Sequence, residues 1–431
     1  MTDKIHRWKG EEPNVTIPAG TKEIMKGAFS FSNNLESVVM PEGIVNIRDR
    51  AFWGCRNLKK IELPNSLEKI GREAFGKCYP IEVIKIPANV TKMDGSAFPK
   101  SFHEEAVSKL HGIEVDKDNP AFTSVEGIVY SKDMKTLVAY PSGKKDSVFS
   151  VPDSVTAIGK DAFSCCFNLE EVILPKGCRT IKEGAFCYCK RLAHINLEHV
   201  KQIKKESFMY CEALKQVDLR GLKIIENNSF HGCVNLSDVT FGKTETIKEM
   251  AFINCKALDR VELPSTLMIV EEFAFSGFAM QGIEIPKTVQ QLKRHCFGGA
   301  KTIKCYETVR GNMLTIGKMH REPNSTVRET AFEIIVLGES NNKVKRVIPM
   351  YCDGTFEMEI MLEKALHEDN TFDYNLFDSY FNQVKSKKKK IDIALCRLKY
   401  PYELKEQYKD EYIKYLKKYS VAVPEACLGE S

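Results

Sequence analysis

The sequence lacks most of the features that announce a chemistry. No H-E-x-x-H, G-x-S-x-G or G-x-G-x-x-G occurs in it, so the usual signatures of zinc hydrolases, serine hydrolases and dinucleotide binding are missing. Gly242-Lys243-Thr244 has the last letters of a phosphate loop, but Ser237 stands where the first glycine belongs. Neither sign of charge is in excess: 63 Lys and Arg against 58 Asp and Glu leave +5, too little for the basic footprint of a nucleic-acid binder. No apolar run approaches the about 20 residues of a membrane helix. Met1 to Gly10 contains no apolar core of a signal peptide. The nine histidines are scattered and form no ligand set. Asn14-Val-Thr16 and Asn89-Val-Thr91 match the glycosylation triplet, which has meaning only in a secreted chain. Together these absences predict a cytoplasmic, non-catalytic protein with no cofactor, at the cell surface only if a leader was removed.

What the chain does have is a period. Ala-Phe, or a close variant, recurs with its Phe at 29, 52, 75, 98, 163, 186, 208, 230, 252, 275 and 297. Every gap is 22 or 23 residues except the 65 from Phe98 to Phe163. Such a period marks a solenoid, whose repeats stack only on their neighbours. Leu58-x-x-Ile61-x-Leu63 ends in a short strand, and the same frame returns at Leu169/Val172/Leu174, Leu192/Ile195/Leu197, Leu214/Val217/Leu219, Leu236/Val239/Phe241 and Leu258/Val261/Leu263. Alternation along the strand turns the flanking apolar pair inward and the middle residue to solvent. Pro41, Pro64, Pro87, Pro175, Pro264 and Pro286 stop the strand. A single repeat buries too little apolar surface to offset its own ordering, so neighbours must supply the rest.

The pattern from Ile61-Glu-Leu-Pro64 through Ala74-Phe75 to Cys78 resembles the BspA-type, or treponemal-type, leucine-rich repeat, over about residues 14–309. The resemblance implies an α/β fold: a right-handed leucine-rich-repeat solenoid with a short strand plus a turn or short helix per repeat. It implies binding or adhesion without catalysis, and transfers no catalytic residue. Residues 1–13 are then an N-terminal cap. The long gap equals one 23-residue repeat plus 42 residues. The extra segment, about 111–151, has short β-rich runs between Ser131–Lys135 and Ser142–Lys145, which predict a hairpin projecting from the solenoid.

Fifteen cysteines suggest disulfides or metal until their places are read. Cys55, Cys78, Cys166, Cys189, Cys211, Cys233 and Cys255 each follow a marker Phe by three residues. Ser32, Ser101, Phe278 and Ala300 fill that place elsewhere, so it requires neither a bond nor a metal. The expectation is a ladder of buried, reduced thiols. Zinc at Cys165, Cys166, Cys187 and Cys189 is the alternative, but the chain has no C-x-x-C.

The period ends near Arg310. Residues 310–332 read as a linker, followed by a β-hairpin (Glu333–Leu337, Val344–Ile348) around Gly338–Asn342. Helices then fall over roughly Phe356–His367, Tyr374–Val384, Lys389–Lys399 and Leu404–Tyr419. This tail, 333–431, resembles the helical C-terminal segment of some cytoplasmic bacterial repeat proteins. It reads as a cap for the open end of the array, with an effector or oligomerisation module on its tyrosine face as the alternative. Lys387–Lys390 suits a solvated surface run, with attraction of phosphates or anionic lipid as the alternative.

The middle residues of the later strands are Asn196, Asp218, Thr240, Glu262 and Glu284; the earlier strands offer Val39, Glu62, Lys85 and Ile173. The later set forms a polar, acid-tilted strip on the concave sheet, fitted to a basic or hydrogen-bonding protein surface. The function expected is a protein–protein interaction scaffold that uses this face and the insert. The alternative is a cell-surface adhesin exported without an evident leader.

Overall fold

The computed structural model describes residues 3–101, 107–277, 280–306, 330–337, 344–352, 365 and 372–424. They form a β-solenoid with a small helical segment at its C-terminal end. The chain divides into two compact bodies: residues 1–222 with 226–239, and 223–225 with 240–431.

In the first body each regular repeat contributes two strands to two parallel ladders. The expected strand forms the longer one, as in Asn14↔Ser37↔Lys60. A second, two-residue strand forms the other, as in Glu23↔Asn46↔Lys69 and Ala157↔Thr180↔Gln202. The return leg of the repeat therefore has this second short strand ahead of the expected turn, and at Gly95–Ala97 the turn is a short 3-10 helix. Ile24, Ile47, Ile70, Ile158 and Ile181, each five residues before a marker Phe, fill this strand and are buried. β-branched residues favour the pleated ladder over a helical turn.

The marker phenylalanines stack into a spine. Phe163 and Phe186 lie 4.9 Å apart, Phe186 and Phe208 5.2 Å, and Phe208 and Phe230 5.2 Å. Around every marker but Phe98, which follows a 3-10 turn at Gly95–Ala97, the chain bends through an arc in which donors alternate. Gly27, Phe29 and Phe31 donate to Asp49, Ala51 and Trp53 of the next repeat, while Ala28, Ser30 and Ser32 close turns onto Met25, Gly27 and Phe29. The alternation places residues two before and two after the marker in the left-handed region, as at Arg50 (φ 56°) and Phe31 (φ 62°). Trp8 ends the spine, stacked on Phe29 at 5.5 Å.

The 111–151 segment differs from the projecting hairpin expected of it. Gly112–Val115 pairs with Val83–Ile86 in the long ladder. An antiparallel meander follows, Phe122–Val125, Ile128–Ser131 and Thr136–Ala139, whose last strand joins Ala157–Ile158. Its inner residues, Val129 and Leu137 among them, are fully buried. Tyr140 explains this placement, because it occupies a marker position. Its N–H donates to Ala162 O at 2.8 Å and its ring stacks on Phe163 at 5.1 Å. Buried Asn119 pins the start of the meander, donating through Nδ2 to Pro87 O and Val90 O, both at 2.9 Å.

In the second body the short ladder runs Ile224↔Thr246↔Ile269↔Gln291. Its long ladder runs from Ile283–Glu284 to Thr302–Tyr306 and then to Thr330–Leu337, which pairs antiparallel with Val344–Cys352. Residues 330–332 thus belong to a strand, and the expected linker cannot extend to 332. The rest of that linker through 329, the hairpin turn at 338–342, and the helix expected over Phe356–His367 apart from 365 lie outside the described residues. Three helices follow: α1 (Tyr374–Ser379), α2 (Lys387–Lys399) and α3 (Glu406–Lys418). Asp373 and Ser386 cap α1 and α2 through their side chains.

Candidate functional site

The long-ladder face is where the strands present side chains to solvent. Val39 is 39 % exposed and Ile173 43 %, with Val38 and Val172 buried between outward neighbours, so the alternation inferred from sequence holds at these strands.

The first body offers two shallow grooves on this face. One, of about 700 Å³, is lined by Lys60, Glu62, Lys85, Glu114 and Asp116 among others. Two of its acids are paired within the protein, Glu62 with Lys60 at 2.6 Å and Glu114 with Lys85 at 3.7 Å, while Asp116 accepts the Asp118 N–H at 2.9 Å. The other, of about 510 Å³, contains Ile173, His194, Asn196, Gln216 and Asp218. Two members of the expected strip lie here, and both are engaged. Asn196 accepts from Leu174 N at 2.7 Å and donates to Leu174 O at 2.9 Å, so its amide extends the ladder. Asp218 accepts from Arg220 Nε and Nη2, and this fork holds its carboxyl below the usual range.

The second body holds the other three. Thr240, Glu262 and Glu284 are exposed. Glu262 and Glu284 share a groove of about 500 Å³ with Ser265, Lys287 and Tyr306. Neither carboxylate has a hydrogen bond or ion pair among the described residues. Tyr306 lies beyond the last regular repeat, and its ring carries Lys287 Nζ at 4.9 Å. No periodic signal in the sequence pointed to it.

The thiols form a ladder of hydrogen-bonded groups. Cys78, Cys189, Cys211 and Cys233 donate to the carbonyls of Phe52, Phe163, Phe186 and Phe208, at 3.1, 2.9, 3.1 and 3.1 Å. Cys166 approaches Tyr140 O at 4.0 Å. Burial pushes Cys165 and Cys178 up to about 11, and drives Cys78, Cys166, Cys187, Cys189, Cys211, Cys233 and Cys296 up as well. Among the described residues no group of three or more His, Cys, Asp or Glu could hold a metal ion. Nor is any described helix long and apolar enough to cross a membrane.

Stacked two-strand repeats with a solvent-facing ladder define the class: a leucine-rich-repeat solenoid, a fold typical of protein-interaction scaffolds. The BspA type leucine rich repeat region matches residues 6–110, 142–246 and 223–320 in six copies, and the chain belongs to that family. A leucine-rich repeat protein from Eubacterium ventriosum is similar in structure, with a TM-score of 0.56, 23 % identity, and coverage of 73 % of this chain and 86 % of its own. The pneumococcal vaccine antigen PcpA is similar at a TM-score of 0.42 and 18 % identity, over 74 % of this chain and 92 % of its own. No curated protein matches the sequence significantly.

Proposed function

We propose that the protein is a non-catalytic protein-binding scaffold whose long-ladder face receives a basic segment of another protein, with Glu262 and Glu284 as its charged contacts. One observation carries this reading. Glu62, Glu114 and Asp218 are each held in an ion pair with a neighbouring cation, whereas Glu262 and Glu284 are exposed and have no ion pair among the described residues. Exposed carboxylates gain little from internal pairing, but two left open beside an aromatic wall favour a partner's lysine or arginine and repel acidic surfaces. In the first body, the turn of the meander flanks that body's own long ladder through Ile113 N, which donates to Gly127 O at 2.9 Å. Its exposed Val125 adds apolar contact area there.

The test is binding of fluorescent peptide pools, basic against acidic, to the full chain and to E262K/E284K. The basic pool is expected to bind, and the double reversal to weaken it at least tenfold with the unfolding temperature unchanged. Asp218→Lys, which removes an acid already paired, is expected to have a much smaller effect. Equal binding by the wild type and E262K/E284K would remove the acidic contact from the reading.

A further inference from the structure

We propose that the end of the helical segment formed by the start of α2 and the end of α3 is an electrostatic docking surface for anionic phospholipid membranes. Five lysines meet there: Lys387, Lys388 and Lys390 in the first turn of α2, and Lys417 and Lys418 in the last turn of α3. The rings between them bring the two sets together. Lys387 Nζ lies 4.1 Å from the Tyr419 ring and Lys418 Nζ 5.4 Å from the same ring. Lys390 Nζ lies 5.0 Å from Phe381 and 5.2 Å from Tyr415.

The charge balance of this surface differs from that of the solenoid. Along the repeats, lysines reach acids one repeat away, as in Lys59–Glu36 at 2.9 Å, Lys160–Glu183 at 3.0 Å and Lys223–Glu245 at 2.9 Å. None of the five helical lysines has an ion pair among the described residues. Lys390 is held low by burial, with Lys418 adding to the effect and Glu411 opposing it. A cluster of unpaired like charges gains by approaching an anionic surface.

The side chains indicate what kind of anion. Recognition of a single phosphate favours the planar fork of arginine, whereas lysines are mobile point charges. Five spread over two helix ends suit a diffuse layer of lipid headgroups. The half-buried Tyr415 and Tyr419 are the ring type that sits at a membrane interface.

The experiment is co-sedimentation of the full chain with phosphatidylcholine vesicles, with and without about 30 % phosphatidylserine. Association is expected only with the anionic vesicles, and is expected to fall as salt rises from about 0.1 M to about 0.5 M. Lys388 and Lys417 are exposed, so K388Q/K417Q leaves the packing intact. It is expected to weaken association roughly thirtyfold. Absence of association at low salt, or association indifferent to K388Q/K417Q, would overturn the proposal. Displacement by millimolar inorganic pyrophosphate at constant ionic strength would overturn it too, because the site would then be one for discrete phosphates.

Discussion

Cys55 Sγ lies 3.0 Å from the carbonyl oxygen of Phe29, 26 residues earlier in the chain. The same carbonyl accepts Ser32 N–H at 3.1 Å, which closes the arc of its own repeat. One oxygen therefore ties the arc of a repeat to the thiol of the next, and the relation recurs at Cys78, Cys189, Cys211 and Cys233. Cysteine suits the position because it is small, packs as an apolar group and still has a weak donor. The ladder and the phenylalanine spine are two aspects of one core, since each thiol docks on the backbone of a stacked ring.

That arrangement makes stability sensitive to alkali. The nine thiols that burial raises stay protonated in the folded chain at pH values where they ionise in the unfolded one, near their ordinary 9.0. Above that pH the unfolded state holds fewer protons than the folded state, so stability falls as pH rises. Each such thiol can remove up to about 1.4 kcal/mol per pH unit between its unfolded and folded values. In reducing buffer the melting temperature is expected to stay level from pH 7 to about 8.5 and to drop steeply by about pH 10. Cys211→Ala/Cys233→Ala is expected to lower the plateau and make the drop shallower. A melting temperature that is level to pH 10 would show that the thiols are not dry.

The arcs make a second expectation measurable. Ten repeats place the residue two before the marker in the left-handed region, and only Gly27 and Gly184 are glycines there. A non-glycine residue pays about 1–2 kcal/mol for that conformation. Glu206, at φ 60°, has no side-chain hydrogen bond or ion pair among the described residues. Glu206→Gly is therefore expected to stabilise by up to about 1 kcal/mol in urea unfolding, after the loss to chain entropy. Gly232→Ala is expected to act oppositely. Its φ is 72° and a Cβ would meet the Tyr210 ring at 2.5 Å, which makes a loss of about 1–3 kcal/mol. If Glu206→Gly destabilises, the strain assigned to the arc is absent.

Much of this architecture was legible in the order of residues because a solenoid repeats its errors and its signals alike. The marker Phe, the Leu-x-x-Leu-x-Leu strand and the cysteine three after Phe recur often enough to outweigh any single exception. The second strand was less visible. Its two residues give no alternation to read, and only the recurring Ile five before the marker betrays it. Tyr140 conceals a whole repeat because every other marker is Phe, although an aromatic ring with a polar tip can fill the same stack; its hydroxyl donates to Asp146 at 2.6 Å. The acidic strip was read from strand position alone. Whether an outward residue is spent inside the protein, as Asn196 is on Leu174, depends on a neighbour one repeat away, which position along a strand does not specify.

The helical segment turns on one buried ion pair. Arg397 is 1 % exposed and Asp378 0 %, and they meet through two hydrogen bonds of 2.8 Å. Tyr412 Oη donates to Asp378 at 2.5 Å, and Arg397 donates to the carbonyls of Tyr400 and Tyr402 at 3.2 and 2.8 Å. The node thus joins α1, α2, α3 and the Lys399–Leu404 break, while Tyr374 Oη donates to Val347 O of the hairpin at 3.1 Å. Removing one charge leaves the other buried and uncompensated, which costs about 3–5 kcal/mol. Asp378→Asn is expected to lose helical signal at a lower urea concentration than the solenoid's own transition. Replacing both partners with apolar residues, D378L/R397M, restores a matched interior and is expected to cost less than either single change. A double-mutant cycle that shows simple additivity would mean that the two side chains do not act as a pair.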